Sequence, residues 1–159
     1  MSVRNATRAD LKRVLKIYEA ARAYMKITGN PTQWGSVYPP RELVEQDIEG
    51  GNLFVLEDGD EIYGVFAFFP EGDSVYDKID GEWLNDKPHS AIHRVASAGT
   101  RRGVLHDCVT FCLTQSKNLK IDTHKDNAIM QHQLKKEGFT ECGIVYLENG
   151  EPRIAFQLC

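Results

Sequence analysis

Thr100-Arg101-Arg102-Gly103 stands where a strand-like run, residues 91–97, gives way to a helical run that begins near Gly103. The first-turn N–H groups of a helix lack intrahelical partners and carry partial positive charge. Gly103 would let a ligand approach that backbone closely, and Arg101 and Arg102 add cationic charge. Together they describe an anion site, most naturally for a pyrophosphate. An ordinary turn bearing two solvated arginines accounts for the same four residues equally well. Other chemistries lack their residues. The four cysteines, at 108, 112, 142 and 159, form no Cys-x-x-Cys pair, and no His-Glu-x-x-His occurs. On a helix Cys108 and Cys112 share a face from which His106 points away, so core thiols rather than zinc ligands are expected there. No P-loop and no Gly-x-Gly-x-x-Gly is present, which disfavours a nucleotide-dependent enzyme.

The elements that would position this turn follow from periodicity and punctuation. Thr7-Arg8-Ala9-Asp10 has the form of a capping box, preceded by a short strand at 3–6. Leu11, Val14, Leu15, Tyr18, Ala21 and Met25 recur at helical spacing until Gly29-Asn30-Pro31. An aromatic loop at 33–40 leads to a second helix carrying Leu43, Val44 and Ile48, ended by Gly50-Gly51. Asp58-Gly59-Asp60 joins two β-rich runs, 52–57 and 61–69, as a hairpin. Residues 70–89 have too little apolar periodicity for an element and read as a long loop of the functional or mobile kind. Strand 91–97, helix 103–116, strand 119–123, helix 127–137 and strands 140–147 and 153–158 complete the order β-α-α-β-β-β-α-β-α-β-β. The expected fold is a mixed α/β domain spanning residues 1–159. Its central sheet of about six or seven mostly antiparallel strands carries helices on both faces.

Composition sets the outer bounds. Charged residues make up 26% and hydrophobic ones 42%, the balance of an ordinary globular protein. No apolar run approaches the roughly 20 residues of a membrane span, and no signal peptide opens the chain, so a cytoplasmic protein with no membrane partner is expected. A net charge of −4 and a pI near 5.7 argue against nucleic acid. The acidity concentrates in the long loop, where Glu71, Asp73, Asp77, Asp80, Glu82 and Asp86 face one Lys78.

The element order, the arginine-glycine turn and the later Asn127…Gly138-Phe139 resemble the GNAT superfamily of acyl-CoA-dependent N-acyltransferases. The family's phosphate signature, [Gln/Arg]-x-x-Gly-x-[Gly/Ala], falls on Thr100-Arg101-Arg102-Gly103-Val104-Leu105. The central glycine matches; Thr100 and Leu105 depart. The second signature, an Asn followed about eleven residues later by Gly-Phe, is met by Asn127, Gly138 and Phe139. The resemblance spans nearly the whole chain. It implies acetyl-CoA as co-substrate; the lack of any metal-ligand spacing separately makes no metal the expectation. Val95 and Ser97 would meet the pantetheine amides, and backbone N–H groups of Arg102, Gly103, Val104 and Leu105 the pyrophosphate. Asn127 would add a contact from the following unit. Leu105 would crowd a phosphate unless its side chain turns into the core.

The implied reaction is direct attack of a primary amine, expected to belong to a small molecule, on the thioester in a ternary complex. An amine of pKa near 10.4 is about 0.04% neutral at pH 7, adding roughly 4.6 kcal/mol to the barrier, so a base is worth having. His93, on the strand lining the acyl end, is the first candidate, with Asp122 and His124 next; the alternative roles of these last two are in capping the helix near Asn127. The thiolate, of pKa near 8.5, needs only about 2 kcal/mol to leave unprotonated at pH 7. The loss of the family's usual acid, a tyrosine whose position here is Leu134, is therefore tolerable. Tyr146 could substitute, and His132 only weakly. Trp34, Tyr38, Tyr76 and Trp83, with the acidic loop, would form a pocket for a cationic amine, or else simply pack the loops onto the body. A protein or peptide amine and a non-catalytic acyl-CoA-binding module are the alternatives. Homodimers are common in the family, which makes a homodimer an expectation by association.

Overall fold

Alternation of large and small apolar residues fixes the centre of the molecule. In the computed structural model, which describes residues 1–159, β2 (Leu53–Asp58) and β3 (Glu61–Phe69) pair antiparallel across the turn at Gly59. Leu53, Val55, Ile62, Val65 and Ala67 point to one face, and Leu56, Tyr63, Phe66 and Phe68 to the other. The first face is covered by α1 (Leu11–Ile27) and α2 (Arg41–Glu49), through Val14, Tyr18, Trp34 and Val44. The second is covered by α3 (Val104–Gln115) and α4 (Ala128–Lys136), through Leu105, Cys108, Val109, Cys112 and Leu134. Cys108 and Cys112 are thus core thiols, and burial pushes the Cys108 pKa up. Each fully buried Leu or Phe contributes about 1.5–3 kcal/mol relative to exposure, so both layers are held chiefly by the hydrophobic effect.

The remaining strands are β1 (Ser2–Asn5), β4 (Asp80–Gly81), β5 (Ser90–Ser97), β6 (Leu119–Thr123), β7 (Thr140–Tyr146) and β8 (Pro152–Leu158). The sheet order is β1-β2-β3-β5-β6-β8-β7-β4, and only β5 and β6 are parallel. The first turn before α1 is 3-10 rather than α; Thr7 donates its N–H to Asp10 Oδ2 at 2.7 Å, and Arg4 reaches the same carboxylate at 2.8 Å.

Eight strands replace the expected six or seven, because the segment 70–89 is not an unstructured loop. A one-turn 3-10 helix at Ser74–Tyr76 and the two-residue β4 dock it against the sheet. β4 pairs with β7 through Gly81 and Gly143, where a Cβ on either would stand 2.3 Å from the opposing backbone. Such pairing needs glycine and no apolar side chain, so no periodicity announces it. The segment is also bolted down by polar groups. Leu84 N–H donates to Gln157 Oε1 at 2.8 Å, and Asn118 Nδ2 donates to Pro88 O at 3.0 Å.

Two irregularities in β5 create the site. β5 and β6 are paired only at Ser90–Leu119 and Ala91–Lys120; beyond that they splay, one running on to Ser97 and the other to Thr123. On its other edge, Ala67 opposes His93 and Val65 opposes Ala96, so Phe66 faces two residues, Arg94 and Val95. This is a β-bulge, with Arg94 at φ +53° as the one non-glycine residue in the left-handed region. The bulge sends consecutive side chains His93 and Arg94 to the same side, where both lie against the Phe69 ring.

Candidate active site

A cleft of about 1330 Å³ opens where β5 and β6 part. Its floor is Ile92 to Val95 and Ile121 to Thr123, one wall is the 73–80 segment, and the other is the Thr32–Tyr38 loop with Met25 and Leu43. The β7–β8 turn, Tyr146 to Glu151, forms a rim. Of the residues expected to act here, the structure brings together His93, Val95, Asp122, Asn127, Tyr146, Trp34 and Tyr38.

His93 is the most elaborately held. Its Nε2 lies 2.7 Å from Asp73 Oδ2, and its ring stacks on Tyr76 at 5.9 Å between centroids. Asp73 also accepts the Val75 N–H at 2.9 Å, while its own N–H donates to His89 Nε2 at 3.1 Å. The hydrogen bond to His93 holds the Asp73 carboxyl below the usual carboxylate range, against the opposing effect of burial. Burial lowers the pKa of His89. Asp122 accepts a 2.7 Å hydrogen bond from Tyr76 Oη, whose own pKa burial raises well above the usual value.

Arg94 anchors the other wall. Its guanidinium meets Asp47 through two hydrogen bonds, Nε to Oδ2 at 2.8 Å and an Nη to Oδ1 at 2.9 Å, and it also donates to Tyr38 Oη at 3.2 Å. Tyr18 Oη donates to the Arg94 carbonyl at 2.9 Å. The side chains of Arg94 and Asp47 are 11% and 5% exposed, so this is a buried ion pair that fixes both the bulge and Tyr38. Trp34 packs edge-on to Tyr18 and beside Tyr38.

Three expected residues stand elsewhere. Tyr76 is 1% exposed and forms a small core with Ala91, Val145 and Ala155; it supports His93 and Asp122 from beneath rather than lining the cleft. Trp83 donates Nε1–H to Tyr76 O at 2.9 Å and lies under Lys120 Nζ, 4.0 Å from its ring centroid. It packs the loop down, because an indole beside a buried tyrosine and an aliphatic lysine stem gains more from burial than from solvent. His124 lies in the β6–α4 turn, where Nδ1 accepts the Asp126 N–H at 3.0 Å and Nε2 stands 3.4 Å from Thr32 Oγ1. Burial, with nearby Arg153, lowers its pKa, and it takes the capping part rather than facing the cleft. Asn127 caps α4 by accepting the Met130 N–H at 3.0 Å, and its Nδ2 donates to Gln33 Oε1 at 3.1 Å. Leu134 is fully buried, so the position of the family's acid is core here; the Tyr146 side chain is half exposed on the rim.

Beyond the floor, β5 runs into the loop 98–103. Ser97 Oγ accepts the Gly99 N–H at 3.0 Å, and Gly103 sits at φ +89° as the N-cap of α3, with open space where a Cβ would be. The N–H groups of Arg102 to His106 donate to nothing in the protein, the first protein-bound donor of the helix being Asp107 N–H to Gly103 O at 2.9 Å. Leu105 is 6% exposed and belongs to the core, so its side chain leaves this surface clear. Arg101 stacks over Tyr63 at 4.2 Å and bridges Asp58 at 3.0 Å, whereas Arg102 and Thr100 are exposed. Tyr63 in turn donates to Asp107 at 2.7 Å, its pKa pushed up to about 12, first by burial.

The residues sequence reasoning missed are Asp73, Arg94 with Asp47, Gln33 and Thr123. Thr123, 1% exposed at the splayed end of β6, lines the cleft with its Oγ1 unpaired. A buried hydroxyl without a partner costs roughly 1–3 kcal/mol, which suits a floor that meets a ligand's polar groups. The acids do converge: Asp73, Asp77, Asp80, Asp122, Glu148 and Glu151 all line the cleft. Of the basic residues there, Arg94 is paired with Asp47 and Arg153 with Glu151 at 3.2 Å, and Lys78 is unpaired.

No protein-family model matches the chain, and no curated protein matches it. Solved structures do. yncA from Salmonella typhimurium, solved with its cofactor acetyl-CoA, is similar at 14% identity and a TM-score of 0.63, over 99% of this chain and 92% of that one. A ribosomal-protein-alanine N-acetyltransferase from Brucella melitensis is similar at 20% identity and a TM-score of 0.60, over 99% and 98%. An acetyltransferase of the GNAT family from Streptococcus agalactiae has a TM-score of 0.87 and 31% identity, covering 99% of this chain and 94% of its own. At that identity over nearly the full length, this chain belongs to the GNAT family of acetyltransferases.

Proposed function

We propose that the chain transfers an acetyl group from acetyl-CoA to a primary amine bound in the acidic cleft, with His93 as the base. The observation that carries this reading is the continuity of the floor. One strand, β5, presents His93 and Val95 to the cleft and then delivers the chain to a helix start whose N–H groups have no acceptor. Those N–H groups, with Arg102 beside them, suit a pyrophosphate. The unpaired edge between β5 and β6 and the orphan Thr123 hydroxyl suit the amides of a pantetheine arm. Acetyl-CoA, when bound, supplies the thioester whose C–S bond breaks as the amine's C–N bond forms.

His93 takes the proton that the amine nitrogen sheds, and a proton from Tyr146 or water returns the thiolate to a thiol. Leu134 removes the family's usual acid, and the low cost of thiolate departure makes a half-exposed Tyr146 sufficient. The carboxylates around the cleft favour a cationic acceptor over a neutral or anionic one.

For the acceptor we favour a peptide or protein amine over the small molecule expected from sequence. The support is the similarity to a ribosomal-protein-alanine N-acetyltransferase. The acidic rim at Glu148 and Glu151 would draw a free N-terminal ammonium as readily as a diamine.

The test begins with calorimetric titration of acetyl-CoA into wild type and Gly103→Trp, which fills the open space at the helix start. Binding to wild type with at least a tenfold loss in the variant supports the site; no binding to wild type overturns the reading. Thiol release with peptides bearing free N-termini, compared with diamines, then identifies the acceptor class.

A further inference from the structure

Asp73 lies on a segment that sequence alone leaves as an acidic loop, yet it makes the shortest polar contact to His93. We propose that Asp73 is a positioning residue that fixes His93 in the Nε2–H tautomer, leaving Nδ1 as the proton acceptor toward the cleft. The proposal rests on the acetyl-transfer reading for its catalytic consequence, and on geometry alone for the tautomer.

Both oxygens of the carboxylate have a hydrogen-bond partner. Oδ2 meets His93 Nε2 at 2.7 Å, and a carboxylate only accepts, so the imidazole must donate there. Oδ1 is occupied by the Val75 N–H at 2.9 Å, which sets the rotation of the carboxylate. The Asp73 N–H donates to His89 Nε2 at 3.1 Å, so His89 carries its own proton on Nδ1 when neutral. Space at this corner is exhausted, for a Cβ on Gly72 would stand 2.6 Å from His89 Nε2 and 2.8 Å from His89 O. Below, Tyr76 stacks on His93, packs tilted against His89 and is itself held by Asp122. The imidazole plane, its tautomer and its partner are therefore all determined by the docking of 72–76 on the sheet.

The chemistry follows from which nitrogen is free. A neutral imidazole with Nε2–H pointing at a carboxylate presents the Nδ1 lone pair, and the charged form gains a stabilising partner after it takes the amine's proton. The other charged or titratable groups at this corner are Tyr76, stacked on His93 and hydrogen-bonded to Asp122 of β6, the Arg94 guanidinium, which shares the Phe69 ring with His93, and His89, which has Asp77 and Lys120 near it. Arg94 is neutralised by Asp47, which leaves Asp73 as the carboxylate in direct contact with the ring.

The experiment uses the whole protein labelled with ¹⁵N-histidine. His93→Gln assigns the His93 signals by their disappearance. Long-range ¹H–¹⁵N spectra of wild type above pH 7 are expected to show His93 as the Nε2–H tautomer. Asp73→Asn is expected to abolish that preference. The same variant should lower kcat/KM about a hundredfold, with acceptor KM little changed; Asp73→Glu should recover part of the loss. A wild-type His93 in the Nδ1–H tautomer would overturn the proposal, as would an Asp73→Asn protein with the wild-type tautomer and kcat. Wild type with the expected tautomer but no turnover on any amine would instead sink the transferase reading and leave the positioning intact.

Discussion

Removing the Asp47 carboxylate is the sharpest test of how the cleft is built. Asp47→Ala strands the Arg94 guanidinium with 11% of its side chain exposed and takes away two hydrogen bonds, at 2.8 and 2.9 Å. An uncompensated buried charge of this kind costs about 3–5 kcal/mol. At about 2–4 °C per kcal/mol for a chain of this size, melting should fall by roughly 6–20 °C. Arg94 also holds a left-handed backbone, a conformation that costs roughly 1–2 kcal/mol on its own. Releasing the side chain should let the bulge relax and carry His93 off its Asp73 contact, so kcat should fall with stability. Thermal melts of Asp47→Ala, Arg94→Met and the Asp47→Leu/Arg94→Met double variant complete the test. The double variant should regain most of the stability, because an apolar pair needs no compensation. It should still show a raised acceptor KM, since Tyr38 Oη has lost its donor. A cost below about 1 kcal/mol for Asp47→Ala would mean that water reaches Arg94, and the bulge would then owe nothing to the ion pair.

Other outcomes follow from particular contacts. A Cβ at Gly64 would meet Val104 Cγ1 at 2.8 Å and Leu56 Cδ1 at 3.0 Å, so Gly64→Ala should cost about 1–3 kcal/mol in chemical denaturation and weaken acetyl-CoA binding by lifting the first turn of α3. Asp10 has its pKa depressed from 3.8 to about 2, first by the hydrogen bond from Arg4. Its contribution is therefore present above pH 4 and lost as pH falls through 2; wild type should lose about 2 kcal/mol over that interval that Asp10→Asn does not, read from melts at each pH. Tyr146→Phe should lower kcat no more than about thirtyfold at pH 7, because thiolate departure needs only about 2 kcal/mol. A loss of a thousandfold would show that Tyr146 does more than protonate the thiol.

What was legible in the sequence was local. Asp58-Gly59 announces the hairpin, Asn127 the cap of α4, and Gly103 the helix start, since each is set by residues within a few positions. Leu105 was legible too, with hindsight: Leu105, Cys108, Val109 and Cys112 stand at three- and four-residue spacing, which places Leu105 on the core stripe and away from the loop. The contacts that make the site are of another kind. Asp73 and His93 are 20 residues apart and Arg94 and Asp47 are 47 apart, and neither spacing carries a period. The bulge itself is defined by Phe66 on a neighbouring strand, and arginine at its left-handed position gives none of the warning that glycine would. Tyr76 and Trp83 look like any pocket aromatics until β4 draws their segment onto the sheet.

On the proposed reading of the 100–105 loop, the same distinction explains why the departures at Thr100 and Leu105 weigh little. A pyrophosphate at a helix start is met by N–H groups, and every residue other than proline supplies one. What the loop needs from its side chains is only that they stay out of the way: Leu105 does so by burial, and Thr100 by exposure. Gly103 alone has no substitute, because φ +89° and an open approach are backbone requirements. A sequence signature drawn from such a loop mixes one requirement with several habits. The chain keeps the requirement.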